Sequence, residues 1–141
     1  MGGMTLIVKT VVRLLSPIMF LLGAYIAVHG HLTPGGGFPG GVILASALIL
    51  ILLAFGTDYL EPKFGHKLGE IVKGFGAIMI VLVGFIGLVI GFWFFKNIGV
   101  YPYGFPGEIF SAGSVPLYNI WEAVHIIAAF LLVFYCFFRR R

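Results

Sequence analysis

The sequence predicts an all-α integral membrane protein with four transmembrane helices, and three observations predict it. Hydrophobic residues make up 60% of the chain against 10% charged, and the mean hydropathy is +1.10, a balance that leaves too few polar side chains to cover a water-soluble surface. Apolar runs long enough to cross a hydrocarbon core fall at about 11–28, 42–57, 71–95 and 117–138. The basic residues sit between alternate runs. The 141 residues are therefore read as one membrane domain, 1–141, with no repeat, low-complexity tract or linker dividing it.

Helix 1 is preceded by Lys9 and Arg13, as a secretory signal would be. Its apolar run is too long for such a signal and has no small-x-small cleavage site, so it is read as a retained helix. Pro17 is expected in its first turns, where a missing N–H costs least, and Gly23, Ala24 and Ala27 form a small-residue patch. Helix 3 carries Gly84, Gly87 and Gly91, a spacing that lets another helix approach closely, against the plain alternative that glycine is common in membrane helices. Trp93, Phe94, Phe95, Tyr101, Tyr103, Tyr118 and Trp121 fit an interfacial aromatic belt. The 97–116 segment holds Pro102, Pro106 and Pro116 with apolar Phe105, Ile109 and Phe110, which suits a loop lying against membrane or partner.

Of nine Lys and Arg, Lys9, Arg13, Lys63, Lys67, Lys73, Arg139, Arg140 and Arg141 fall on one side and only Lys96 on the other. This puts both termini in the cytoplasm of a multi-pass cell-membrane protein and the 30–41 stretch outside. The basic balance is thus a topology signal. It offers no nucleic-acid surface, because the charges flank helices and no soluble domain is present to carry a groove. The inner loop, with Asp58, Glu61, Lys63, His66, Lys67, Glu70 and Lys73, is read as a solvated face of mixed charge or a docking surface. Cys136, the sole cysteine, is read as a buried structural thiol. A bundle this small and this poor in polar residues holds no water-filled route alone, so the chain reads as one member of a larger assembly.

Residues 30–41 read GHLTPGGGFPGG. Gly30 is expected to end helix 1 in a left-handed conformation, Pro34 blocks its continuation, and the glycine run opens dihedrals closed to other residues. An ordinary exposed turn would be more polar. Irregular backbone this apolar is tolerated at membrane depth when protein buries it or it lines a cavity, and broken helix ends there offer carbonyls or N–H groups to ions. A nucleotide-binding loop does not fit, since no Gly-Lys-Ser/Thr follows.

His31-Leu32-Thr33-Pro34-Gly35-Gly36-Gly37-Phe38, followed by Gly40-Gly41, resembles the H-x-T-P-G-G-G-F-x-G-G signature of the MnhB/MrpB family. That family supplies the MrpB component of Mrp-type sodium/proton antiporters, with homologous subunits in archaeal membrane-bound hydrogenases and related sulfur-reducing complexes. The resemblance implies partners: other Mrp-type membrane subunits including the large antiporter-like ones, hydrogenase-like redox subunits, sodium ions, protons and the bilayer. It also implies that Thr33, Pro34, Gly35, Gly36, Gly37, Phe38, Gly40 and Gly41 serve either to dock the subunit or to shape an ion route beside it.

Ionisable side chains inside membrane helices ask for partners. Glu122, which is similar to the acidic residue family members often carry at the start of this helix, and His125, one turn later, would pass a proton or hold a cation; alternatively Glu122 pairs with water or Lys96 and only anchors the helix. His29 and His31 complete the candidates for an ion path. Glu122-x-x-His125 is half of a di-iron pattern whose other half is missing from the sequence. A bis-histidine haem between His125 and His29 or His31 fits the expected depths poorly. No metal, no cofactor and no catalytic site are expected in this chain. Any enzymatic role is that of one component in a larger oxidoreductase. The lack of Gln and the two Asn tilt the choice toward an archaeal redox-driven complex over a free-standing antiporter.

Overall fold

The computed structural model describes residues 4–109 and 111–139. Phe110, Arg140, Arg141 and the side chain of Arg139 lie outside the described residues. Among the described residues every regular element is a helix: α1 (Leu6–His29), α2 (Gly37–Phe55), α3 (Thr57–Phe64), α4 (His66–Gly91) and α5 (Val115–Arg139). Among the described residues four helices, α1, α2, α4 and α5, are long and apolar enough to span a membrane.

The helices α2 and α5 form the middle of the bundle; α1 packs on α2, and α4 packs on α5. This order follows from composition. α2 has no charged residue and is apolar all round, as a helix buried on several sides must be, whereas α1 and α4 leave broad apolar faces uncovered, among them Leu14, Leu21, Ile78 and Phe85. The core gathers Ala45, Ile49 and Leu52 of α2, Leu60 of α3, and Leu131 and Tyr135 of α5.

Several boundaries differ from the sequence-based expectation. α1 starts at Leu6, which puts Pro17 inside the helix; the carbonyl four residues earlier then lacks its helical donor, a defect that membrane helices tolerate when neighbours or side chains compensate. The connection between α2 and α4 contains the short helix α3, held by Leu60 at 4% exposure, with Asp58 in its first turn and Lys63 in its last, both signs matching the helix dipole. α4 begins at His66, and its first turn holds the His66–Glu70 pair at 3.6 Å. Cys136 is exposed, not buried.

The largest difference concerns 92–101. The apolar run predicts helix through Phe95, but α4 stops at Gly91, and Phe92 and Phe95 take left-handed φ values of 62° and 61°. The chain then turns back along α4. Phe95 N–H donates to the Gly84 carbonyl at 3.2 Å, Lys96 Nζ to the Gly91 carbonyl at 3.2 Å, and Tyr101 OH to the Val83 carbonyl at 2.6 Å. Gly84, Gly87 and Gly91 therefore face this returning segment, where Phe94, Phe95 and Lys96 lie against them, and not another helix. Asn97 fastens the loop farther on, donating to the Ala112 carbonyl and accepting from the Ser114 N–H.

Candidate functional site at the glycine turn

The site is built where α1 ends, α2 begins and α5 passes beside both. At the end of α1 the Leu32 and Thr33 N–H groups both donate to the His29 carbonyl, at 2.9 and 3.0 Å, and Thr33 Oγ1 adds a third donor at 3.2 Å. Thr33 thus satisfies a carbonyl that the helix end would leave open. Gly30 is right-handed (φ −63°, ψ −10°), against the left-handed expectation. Glycine is required there for space: a Cβ would fall on the Gly36 backbone and crowd the Asn119 amide. The backbone freedom is used instead at Gly36, with φ 138° and ψ −172°, a region closed to side-chain-bearing residues.

The second half of the motif is helical. α2 starts at Gly37, ahead of the expected 42, and Pro39 sits in the first turn, where its missing N–H is harmless. Gly37, Gly40 and Gly41 are contact points. Gly40 meets Ala27 of α1, Gly41 meets Ala123 and Ile126 of α5, and a Cβ at Gly37 would strike the Asn119 carbonyl and come within 2.7 Å of Glu122 Oε2. Gly37-x-x-x-Gly41 is therefore the close-packing seam between α2 and α5, the arrangement small-xxx-small spacing permits. Phe38, between them, is half exposed.

These contacts bring together two features that are separate in the sequence. Glu122 stands beside the first residue of α2, where the open N–H groups and the dipole of the helix favour a negative charge. Asn119, one turn earlier on α5, reaches between Gly30 and Gly36. Sequence reasoning does not single it out; the signal available is an amide three positions before Glu122 at the start of an apolar span. Two buried atoms here lack a hydrogen-bond partner among the described residues, His31 Nδ1 and Asn119 Nδ2. His31 Nε2 donates to the Glu108 carbonyl at 3.2 Å, so Nδ1 is the ring nitrogen left without a partner among the described residues.

The structure does not join all the expected residues. His125 turns to the other neighbour: its Nδ1 donates to the Lys73 carbonyl of α4 at 2.9 Å, and its backbone packs on Gly76. His29 stacks on Tyr25 and bonds within α1. The three rings thus engage three different carbonyls, and among the described residues no group of three or more His, Cys, Asp or Glu is placed to hold a metal ion. Lys96 is tied to Gly91, and among the described residues it forms no ion pair with Glu122.

Comparison with known proteins gives consistent results. The family described as "Domain related to MnhB subunit of Na+/H+ antiporter" matches residues 7–132. A Methanocaldococcus jannaschii protein is 37% identical over 141 residues, covering 93% of this chain and 53% of that protein. The B component of the Bacillus subtilis Na(+)/H(+) antiporter is 36% identical over 86 residues, covering 61% of this chain and 59% of that protein. Among solved structures, a chain of the membrane-bound sulfane sulfur reductase, an archaeal respiratory membrane complex, superposes with a TM-score of 0.78 at 32% identity, covering 97% of this chain and 61% of that one. The chain spans between half and two thirds of the length of each of these relatives.

Proposed function

The chain belongs to the family related to the MnhB subunit of Na+/H+ antiporters, and from that premise we propose that it is an accessory membrane subunit of an Mrp-type cation/proton antiporter module within an archaeal redox-driven membrane complex. The likeness to the sulfane sulfur reductase chain over 97% of this chain supports the second part. Partner subunits would supply the redox chemistry and the large antiporter-like channels. The distribution of Lys and Arg supports cytoplasmic termini, with the glycine turn on the opposite face.

The observation that carries the site is Glu122 Oε2 beside Gly37. The glycine motif has a structural task and an electrostatic one: it lets α5 approach the start of α2, and so brings a carboxylate to the positive end of that helix. In this reading Thr33, Pro34, Gly35, Gly36, Gly37, Gly40 and Gly41 are positioning residues, and Glu122 is the group that attracts a sodium ion or proton into the neighbouring subunit interface. His125, held by α4, has a helix-packing role.

Two measurements test this. Mild-detergent purification from native membranes with mass-spectrometric identification should recover antiporter-like and redox subunits together; recovery of antiporter subunits alone would make the chain part of a free-standing exchanger. In everted vesicles, Glu122→Gln should lower sodium-dependent proton movement about tenfold, with the complex recovered at wild-type yield. Unchanged transport over the whole pH range would remove Glu122 from the path.

A further inference from the structure

At the end of the bundle away from the glycine turn, three cations converge on two adjoining aromatic rings. Phe55, the last residue of α2, and Tyr59 of α3 lie with centroids 5.1 Å apart. Lys9 Nζ and the Arg13 guanidinium, both on α1, sit over the Phe55 ring at 6.0 and 5.3 Å. Lys63 Nζ, on α3, sits over Tyr59 at 3.8 Å. Through a hydrogen bond and its charge Lys63 draws the Tyr59 phenol below its usual range, and Arg13 adds a weaker pull.

Ring faces attract cations, but they neutralise no charge. Asp58 and Glu61 lie on the same short helix as Tyr59 and Lys63, yet among the described residues neither forms an ion pair with the three cations; the ion pair found there joins His66 and Glu70. Three like charges drawn together without an anion form a site that an anion would complete. Its place in the fold says which anion. The rings stand at the boundary where one membrane-length helix begins and another ends, and the α1 surface leading away from Lys9 and Arg13 into the span is apolar and uncovered, with Leu14 69% and Leu21 78% exposed. A ligand that fits must have a negative head and a hydrocarbon tail.

We propose that Lys9, Arg13 and Lys63, set on the Phe55–Tyr59 ring pair, form a binding site for the phosphate head of an anionic phospholipid, whose acyl chain lies along the outer face of α1. Basic pockets between membrane helices bind such heads. Neither α1 nor α3 alone carries the full set, so the lipid would clasp the start of α1 to the α2–α3 corner. The site does not depend on which complex the chain joins.

The test is native mass spectrometry of the full chain in mild detergent, titrated separately with dioleoylphosphatidylglycerol, dioleoylphosphatidylcholine and inorganic phosphate. Phosphatidylglycerol should be retained in preference to phosphatidylcholine, and Arg13→Gln combined with Lys63→Gln should weaken its binding about 30-fold. Lys67→Gln combined with Lys73→Gln removes the same charge from the same end outside the cluster and should leave binding near the wild-type level. Equal weakening by both pairs would overturn the site in favour of a diffuse basic surface. Displacement of the lipid by an equal concentration of inorganic phosphate would overturn the lipid assignment.

Discussion

Gly37 and Gly41 on α2 are separated by the same interval as Gly87 and Gly91 on α4, yet the two pairs hold different things. The first pair admits a helix: Asn119, Glu122, Ala123 and Ile126 of α5 press onto it. The second admits the chain's own returning segment, with the Lys96 backbone and side chain lying on Gly87 and Gly91. Spacing of small residues therefore specifies a groove and leaves its occupant open. What decides is the chain available to fill it. α5 carries Asn119 and Ala123 level with Gly37 and Gly41, while α4 is followed directly by a segment whose Phe92 and Phe95 take left-handed φ values and so reverse the chain onto the helix just left. Each such residue costs of order 1–3 kcal/mol, which the bonds to Gly84, Gly91 and Val83 offset.

The strongest way to break this comparison is to fill the first groove. Gly37→Val would drive side-chain atoms into the Asn119 backbone, which a packed helix cannot move aside, and would push the Glu122 carboxylate from its place. A loss of about 3 kcal/mol is expected, read as a large fall in the unfolding midpoint of the purified chain in mild detergent. An unchanged midpoint would mean that α5 does not approach α2 as closely as the glycine seam requires. Gly87→Val should act more gently, at about 1–2 kcal/mol, because the segment it displaces is a loop that can lift away. Hydrogen exchange would locate the change: faster exchange at 92–101 with α2 and α5 unaltered is expected. Faster exchange across α5 as well would show that the second groove also supports the bundle.

The same contrast explains how far the sequence can be read. Four membrane helices are legible because hydropathy over a long run depends on composition and little on neighbours. Glu122 and the glycine motif are each visible, since a carboxylate near an apolar span and a run of glycines near a proline stand out locally. Their union is not visible, because it depends on α5 packing on α2, two helices far apart along the chain. The start of α2 is read too late for a related reason: Gly37, Gly40 and Gly41 look like helix breakers, but glycine also serves where a backbone must come close, and only the partner tells the two uses apart. α3 is hidden by its mixed charges, with Leu60 its single buried anchor. The fold-back of 92–101 is hidden by its apolarity, since Phe92–Phe95 continues the hydropathy of α4 after the helix has ended.

The smallest expected effect sharpens the second half of the comparison. Tyr101 OH donates to the Val83 carbonyl at 2.6 Å, and burial raises the phenol above its usual pKa. A group whose folded-state pKa lies above its unfolded value contributes stability that is fully present below the unfolded value, about 10 for tyrosine, and that is lost as pH rises through the folded one. Wild-type protein should therefore keep 92–101 fastened through neutral pH and lose part of that protection in alkali. Tyr101→Phe removes the bond and the titration together, at a cost of about 1 kcal/mol, and its exchange at 92–101 should be moderately faster at neutral pH, with the alkaline step from this group gone. If the step persists in the variant, another group fastens the returning segment, and the hold of α4 on its own loop depends less on Tyr101 than on the glycine groove beneath it.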